Sequence, residues 1–257
     1  MRDGWRLAVG TFLAVPVRPP SRVDGRVAGQ AMLLAPATAL VLAGVWVVLG
    51  GGVVRGWVPG LLAGALAVAT TALGSRAMHL DGLADTADGL SASYDRARAL
   101  EVMRRGDVGP SGVAALVLTV LVQVASLEAL LERGAGVAVA ALALVASRLA
   151  PAVSCRRGVP AARAEGLGHT VAGTVGVVPL GAVTALVTAT GLGVLLALGG
   201  AWYAAPCVVG AAILASWALT RRATRRLGGV TGDVVGAGVE VSLAAALVVG
   251  AFLLPVV

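Results

Sequence analysis

Long apolar runs alternate with short polar segments along this chain. A helix needs about 20 apolar residues to cross a hydrocarbon core of about 30 Å. Seven stretches meet that need with no charge or only one: Ala31 to Gly50, Trp57 to Ser75, Gly112 to Leu131, Ala135 to Ser154, Val171 to Leu198, Trp202 to Thr220 and Val234 to Val257. Val171 to Leu198 is long and glycine-rich, and Ala135 to Ser154 carries Arg148 near its end, so counts of six or eight also fit the pattern. The stretch Leu7 to Val17 is too short to span and runs into prolines without a clear small-residue cleavage site. It predicts a retained interfacial or re-entrant segment, not a signal peptide. The pattern as a whole predicts an all-α polytopic integral membrane helix bundle of about seven transmembrane helices. It forms one domain over residues 1–257, with no tandem repeat, soluble domain or linker.

Composition agrees with that reading, since 58% of residues are hydrophobic and 13% charged, against about 25% charged in soluble domains. The formal net charge is +7 and all 20 basic residues are arginine. In a water-soluble protein that charge would suggest nucleic acid. In so apolar a chain it marks cytoplasmic loops, with lipid as the surrounding partner and nucleic acid discounted. Arginines gather before the first run, between Arg76 and Arg105, after the fourth run (Arg156, Arg157, Arg163) and after the sixth (Arg221, Arg222, Arg225, Arg226), whereas the alternate connections hold only Arg55 and Arg133. This places the N-terminus inside and, with seven spans, the C-terminus outside. The polar loops near 76–111, 155–170 and 221–233 then share the cytoplasmic face, so chemistry is expected there. Cys155 and Cys207 lie in or beside apolar runs without C-x-x-C spacing, which reads as two small buried hydrophobes.

Against this background "HLDGLADTADG" stands out. Asp81, Asp85 and Asp88 follow at i, i+4 and i+7, so on a helix they project from one face within two turns. Carboxylates so placed repel and raise each other's pKa values unless a cation sits among them. Oxygen-only ligands favour Mg²⁺ or Mn²⁺ over zinc, and Mg²⁺ typically arrives with a substrate phosphate. Gly82 and Gly89 let a ligand or a neighbouring helix approach the backbone. His79 need not share the aspartate face. The bland alternative is a solvated acidic loop, which the position directly after an apolar run weakens, because carboxylates are costly at that depth.

A second cluster is "RRATRRLGGVTGDVVGAGVE", residues 221–240. Arg221 and Arg222 read as positive-inside anchors. Arg225, Arg226, Gly229 and Thr231 suit a phosphate pocket of arginine forks and backbone N–H groups, and Asp233 adds a further metal ligand. Glu240, seven residues on, is a carboxylate within a span and so a candidate by default. Two weaker stretches, "EVMRRGDVGPSG" with Arg104, Arg105 and Asp107 and "CRRGVPAARAEGLGHT" with Glu165 and His169, each read equally well as solvated loops.

"HLDGLADTADG" together with "RRLGGVTGDVVGA" resembles the cobalamin synthase family, the adenosylcobinamide-GDP ribazoletransferases. The likeness runs over nearly the whole chain, with "FLAVPVRPP", "VMRRGDVGPSG" and "EGLG" in family order. It implies a Mg²⁺-dependent inner-membrane transferase that joins adenosylcobinamide-GDP to α-ribazole, or its 5′-phosphate, with release of GMP, late in vitamin B12 synthesis. It also leaves room for association with other enzymes of B12 assembly. Asp81, Asp85 and Asp88 would match the family's acidic, metal-binding motif, with one of them or His79 as general base, and Asp233 the acid of its terminal turn. Many members read lysine, aspartate, serine where Arg104, Arg105 and Gly106 stand, which displaces Asp107 by two positions. A CDP-alcohol phosphotransferase also holds metals on helical aspartates, but "DGLAD" brings Asp85 too early for its motif. An ion-coupled transporter would use Glu240, yet the acids crowd toward one membrane face and no inverted repeat is evident.

Overall fold

The computed structural model describes residues 1–254 as twelve helices, with two isolated backbone bridges and no strand among those residues. They are α1 (Arg2–Phe12), α2 (Gly25–Val54), α3 (Gly60–Gly74), α4 (Met78–Ala92), α5 (Arg96–Val102), α6 (Pro110–Leu131), α7 (Gly136–Ser147), α8 (Ala150–Ser154), α9 (Leu167–Val171), α10 (Val177–Ala197), α11 (Ala204–Leu227) and α12 (Gly232–Leu253). Six are long and apolar enough to cross a membrane: α2, α6, α7 with α8, α10, α11 and α12. The chain is thus a multi-pass membrane protein. The end of the seventh expected span, residues 255–257, lies outside the described residues.

The second expected span takes a different form. α3 has 15 residues, about 22 Å of helix, and an 89° bend carries it into α4. Arg76 and Ala77 make the corner in the left-handed region, at φ 56° and 55°, where non-glycine residues cost roughly 1–2 kcal/mol each. Two hydrogen bonds tie the corner to the N-terminal segment: Arg76 Nη2 donates to the Gly10 carbonyl and the Ala14 amide to the Gly74 carbonyl, both at 2.6 Å. Leu7 to Val17, expected as one interfacial or re-entrant piece, is the end of α1 followed by extended chain.

Other boundaries shift for local reasons. The expected Ala135 to Ser154 span stands as one span, Gly136–Ser154, with a turn at Arg148 just before Pro151, which lacks an N–H. Val171 to Leu198 begins as the end of α9, and only α10 within it is a membrane helix. The basic cluster 221–226 continues α11 to Leu227 instead of forming a loop, with Gly228 as its left-handed C-cap. Asp24 caps α2 by accepting the Val27 amide at 2.8 Å.

The core lies where α2, α3, α6, α7, α11 and α12 meet, around Trp46, Leu127, Leu130, Leu144 and Leu247. Trp46 donates its indole N–H to the Ala67 carbonyl at 2.9 Å and to Thr71 Oγ1 at 3.0 Å, joining α2 to α3. Leu186, Val194 and Leu196 leave the face of α10 exposed and apolar, as lipid contact requires. The three polar segments converge at one end of the bundle. Arg96 Nη2 donates to the Ala162 carbonyl at 3.0 Å, Arg163 Nη2 to the Leu100 carbonyl at 3.0 Å, and Arg226 Nη2 to the Ser93 carbonyl at 2.7 Å. α4 lies across this end.

Candidate active site

A cavity of about 280 Å³ opens at the polar end between α1, α4, the segment 163–171 and the start of α12. Asp81, Arg163 and Asp233 stand on its polar side, while Phe12, Met32, Val171 and Val235 form an apolar wall. Its parts are positioned by close backbone crossings. A Cβ on Gly82 would lie 2.6 Å from the Asp233 carbonyl oxygen, so the glycine lets α4 cross α12 and sets Asp81 beside Asp233. Gly168 does the same for the 163–171 segment, where a Cβ would lie 2.8 Å from the Thr231 Cα. Thr231 caps α12, accepting the Val234 amide at 3.2 Å, and its hydroxyl donates to Asp233 Oδ2 at 3.1 Å.

Within the acid cluster, Arg163 is the cation that opposes the Asp85 carboxylate. Arg163 approaches Asp233 at 3.8 Å, and its Nε is buried without a partner. Burial, then the charges of Asp81, Asp233 and Asp88, push the Asp85 carboxyl up to about 6, with Arg163 opposing. Asp81, Asp85 and Asp233 therefore act on one another as a cluster. Among the described residues, no three Asp, Glu, His or Cys side chains converge tightly enough to cage an ion. The donor set still suits Mg²⁺, which is usually held by one or two carboxylates together with substrate phosphates.

The structure separates the residues singled out from sequence. His79, Asp81, Thr231 and Asp233 line the cavity together, although His79 was not expected to share the aspartate face. Asp88 sits about 10 Å further along α4 than Asp81 and meets other neighbours. Its Oδ2 accepts the Gly109 amide at 2.7 Å and its Oδ1 the Gly112 amide at 2.8 Å. It caps the N-terminus of α6, and each of its oxygens already accepts a backbone amide. Gly89 packs against Met103 and Ala99 of α5, so it serves a helix contact and not a ligand.

Glu240 is 4% exposed and accepts Gln123 Nε2 at 2.9 Å, inside the bundle and away from the cavity wall. Its place on the same helical face as Asp233 is real, but two helical turns separate them. Arg105 pairs with Glu101 at 2.8 Å, Arg104 is exposed outside the cavity wall, and Arg225 points to solvent. Arg226 lies over the Tyr94 ring at 4.2 Å and holds the end of α4. A Cβ on Gly229 would collide with the Pro160 carbonyl and Ala162 amide, so that glycine joins two loops. The 155–170 stretch, which reads equally well as a solvated loop, brings Arg163, Glu165 and His169 to the cavity. The one available signal was the glycine pair around Leu167, because Gly166 takes φ +89° and Gly168 makes the close approach to Thr231.

An acid-lined, arginine-edged cavity thus opens at one polar end of a multi-pass helical membrane protein. Residues 4–251 match the model of the cobalamin-5-phosphate synthase family, and the chain belongs to that family. A protein of Nocardioides sp. named adenosylcobinamide-GDP ribazoletransferase is 48% identical over 249 residues, covering 96% of this chain and 97% of its own. Proteins of the same name from Frankia casuarinae (36%, covering 97% and 95%) and Corynebacterium efficiens (34%, covering 95% and 89%) are also similar. No solved structure matches. The chain is thus a transferase of late B12 biosynthesis.

Proposed function

We propose that the protein transfers the adenosylcobinamide phosphate of adenosylcobinamide-GDP to α-ribazole or its 5′-phosphate, giving adenosylcobalamin or its phosphate and GMP. The observation that carries this reading is the cavity in which Asp81, Asp233 and Arg163 meet, in a chain 48% identical to a protein named for that reaction. Asp81, Asp85 and Asp233 are the residues that would hold Mg²⁺ with the pyrophosphate. When bound, the ion supplies charge neutralisation for the phosphorus under attack and for the departing GMP. Arg163, whose Nε has no partner, pairs with a phosphate oxygen and shares that stabilisation.

A ribose hydroxyl that is free in both acceptors, and so not the 5′ one, attacks the phosphorus bonded to cobinamide, the pyrophosphate bond breaks, and GMP leaves. The hydroxyl proton passes to a carboxylate of the cluster. The site faces the cytoplasm of the inner membrane in this reading, because the arginine-rich segments gather at the same end. Purified protein in nanodiscs should release GMP and form a cobalamin only when both substrates and Mg²⁺ are present. Release of GMP without any nucleotide-loop product would refute the proposed transfer.

A further inference from the structure

The cavity has an apolar side as well as a polar one. Phe12, at 3% exposure, Met32, at 1%, Val171, at 1%, and Val235, at 5%, form a wall without a side-chain hydrogen-bonding group. Within it His79 is the exception: it is 4% exposed, its ring lies 6.0 Å from that of Phe12, and its Nδ1 is buried with no partner. An unpartnered buried polar atom destabilises the site it occupies, so a ligand group that completes it is favoured there. The volume of about 280 Å³ is at the lower bound of sites for drug-sized ligands, about 300–1,000 Å³.

We infer that this apolar wall is the acceptor subsite, and that His79 is the residue that selects the base. The inference rests on the reaction proposed above. The acceptor's bicyclic base lies against Phe12 and Met32, its free ring nitrogen accepts a hydrogen bond from His79 Nδ1, and its ribose points to Asp81 and Asp233 at the polar side. The chemistry discriminates between the two nucleosides of the reaction. A benzimidazole has one free ring nitrogen and otherwise carbon edges, which matches a wall with one unpartnered side-chain nitrogen. Guanine carries several edge donors and acceptors, which this wall would leave unpaired, so the guanosine of the donor lies elsewhere.

The test compares α-ribazole with the corresponding indole riboside, which lacks the ring nitrogen. Equilibrium binding to the full-length protein in nanodiscs is followed by ligand fluorescence, alongside steady-state kinetics with adenosylcobinamide-GDP. Wild-type protein is expected to prefer the benzimidazole by about tenfold or more, as sites built to hydrogen-bond a ligand group do, and His79→Phe to lose that preference. Met32→Phe, which only narrows the wall, is expected to raise KM for α-ribazole about tenfold and to leave KM for adenosylcobinamide-GDP nearly unchanged. A preference for benzimidazole that survives in His79→Phe, or a KM effect confined to the cobinamide nucleotide, would overturn the assignment and leave the proposed reaction standing. Wild-type protein that binds with the expected preference but releases no GMP would remove the reaction and leave the subsite intact.

Discussion

Asp85 and Asp88 stand three residues apart on α4, carry the same side chain, and meet opposite surroundings. Asp88 is buried and each of its oxygens accepts a backbone amide at the start of α6. Asp85 is half-buried among Asp81 and Asp233, with Arg163 as its nearest counter-charge, and its carboxyl is pushed up rather than neutralised. Glu240 falls with Asp88, because Gln123 satisfies it inside the bundle. The difference teaches that helical spacing puts acids on one face but does not say what that face meets along its length. A satisfied carboxylate holds the architecture together, and an unsatisfied cluster is available for chemistry.

The sharpest way to break this comparison is to remove charge from the cluster. Asp233→Asn and Asp81→Asn are each expected to reduce kcat about 100- to 1,000-fold, as loss of a preorganised charge at a transferring phosphoryl group does. Thermal unfolding of both variants should begin no earlier than in wild type. The second test acts on the other side. Asp88→Ala leaves the Gly109 and Gly112 amides without their acceptor, which is expected to cost about 1–2 kcal/mol and to lower the unfolding midpoint. Its activity per folded molecule should stay within a few-fold of wild type.

The third prediction concerns pH. Asp85 has a folded-state pKa above its unfolded value, so without a cation its proton stabilises the fold at low pH, and that stability is lost as pH rises through about 6. Cation binding requires the deprotonated form. Turnover at limiting Mg²⁺ should therefore fall about tenfold per unit below pH 6, and excess Mg²⁺ should shift the profile to lower pH. The smallest effect is expected at the corner between α3 and α4. Ala77 holds φ 55°, so Ala77→Gly should stabilise the protein by up to about 1 kcal/mol, seen as a higher unfolding midpoint with unchanged KM.

Much of the fold was legible from the runs of apolar residues, because lipid demands helices of a set length. The bend at Arg76 and Ala77 was not, since neither is a glycine or proline and the contacts that tie it to Gly10 and Ala14 are tertiary. The aspartate motif and the terminal Thr231–Gly232–Asp233 turn were visible as chemistry. Their sorting was not, because the α6 amides that take Asp88 lie more than twenty residues away in the chain. Arg163 was hidden for a similar reason: an arginine in a polar loop carries no periodic signal, and its value comes from Asp233, 70 residues later.

The central claim is that Asp85 belongs to a cation site and Asp88 does not. Mn²⁺ titration of the purified protein by electron paramagnetic resonance, with adenosylcobinamide-GDP present and α-ribazole withheld, tests it directly. The account predicts that Asp85→Asn weakens Mn²⁺ binding by at least about tenfold, while Asp88→Asn binds like wild type. Equal loss in both variants, or loss in Asp88→Asn alone, would contradict it.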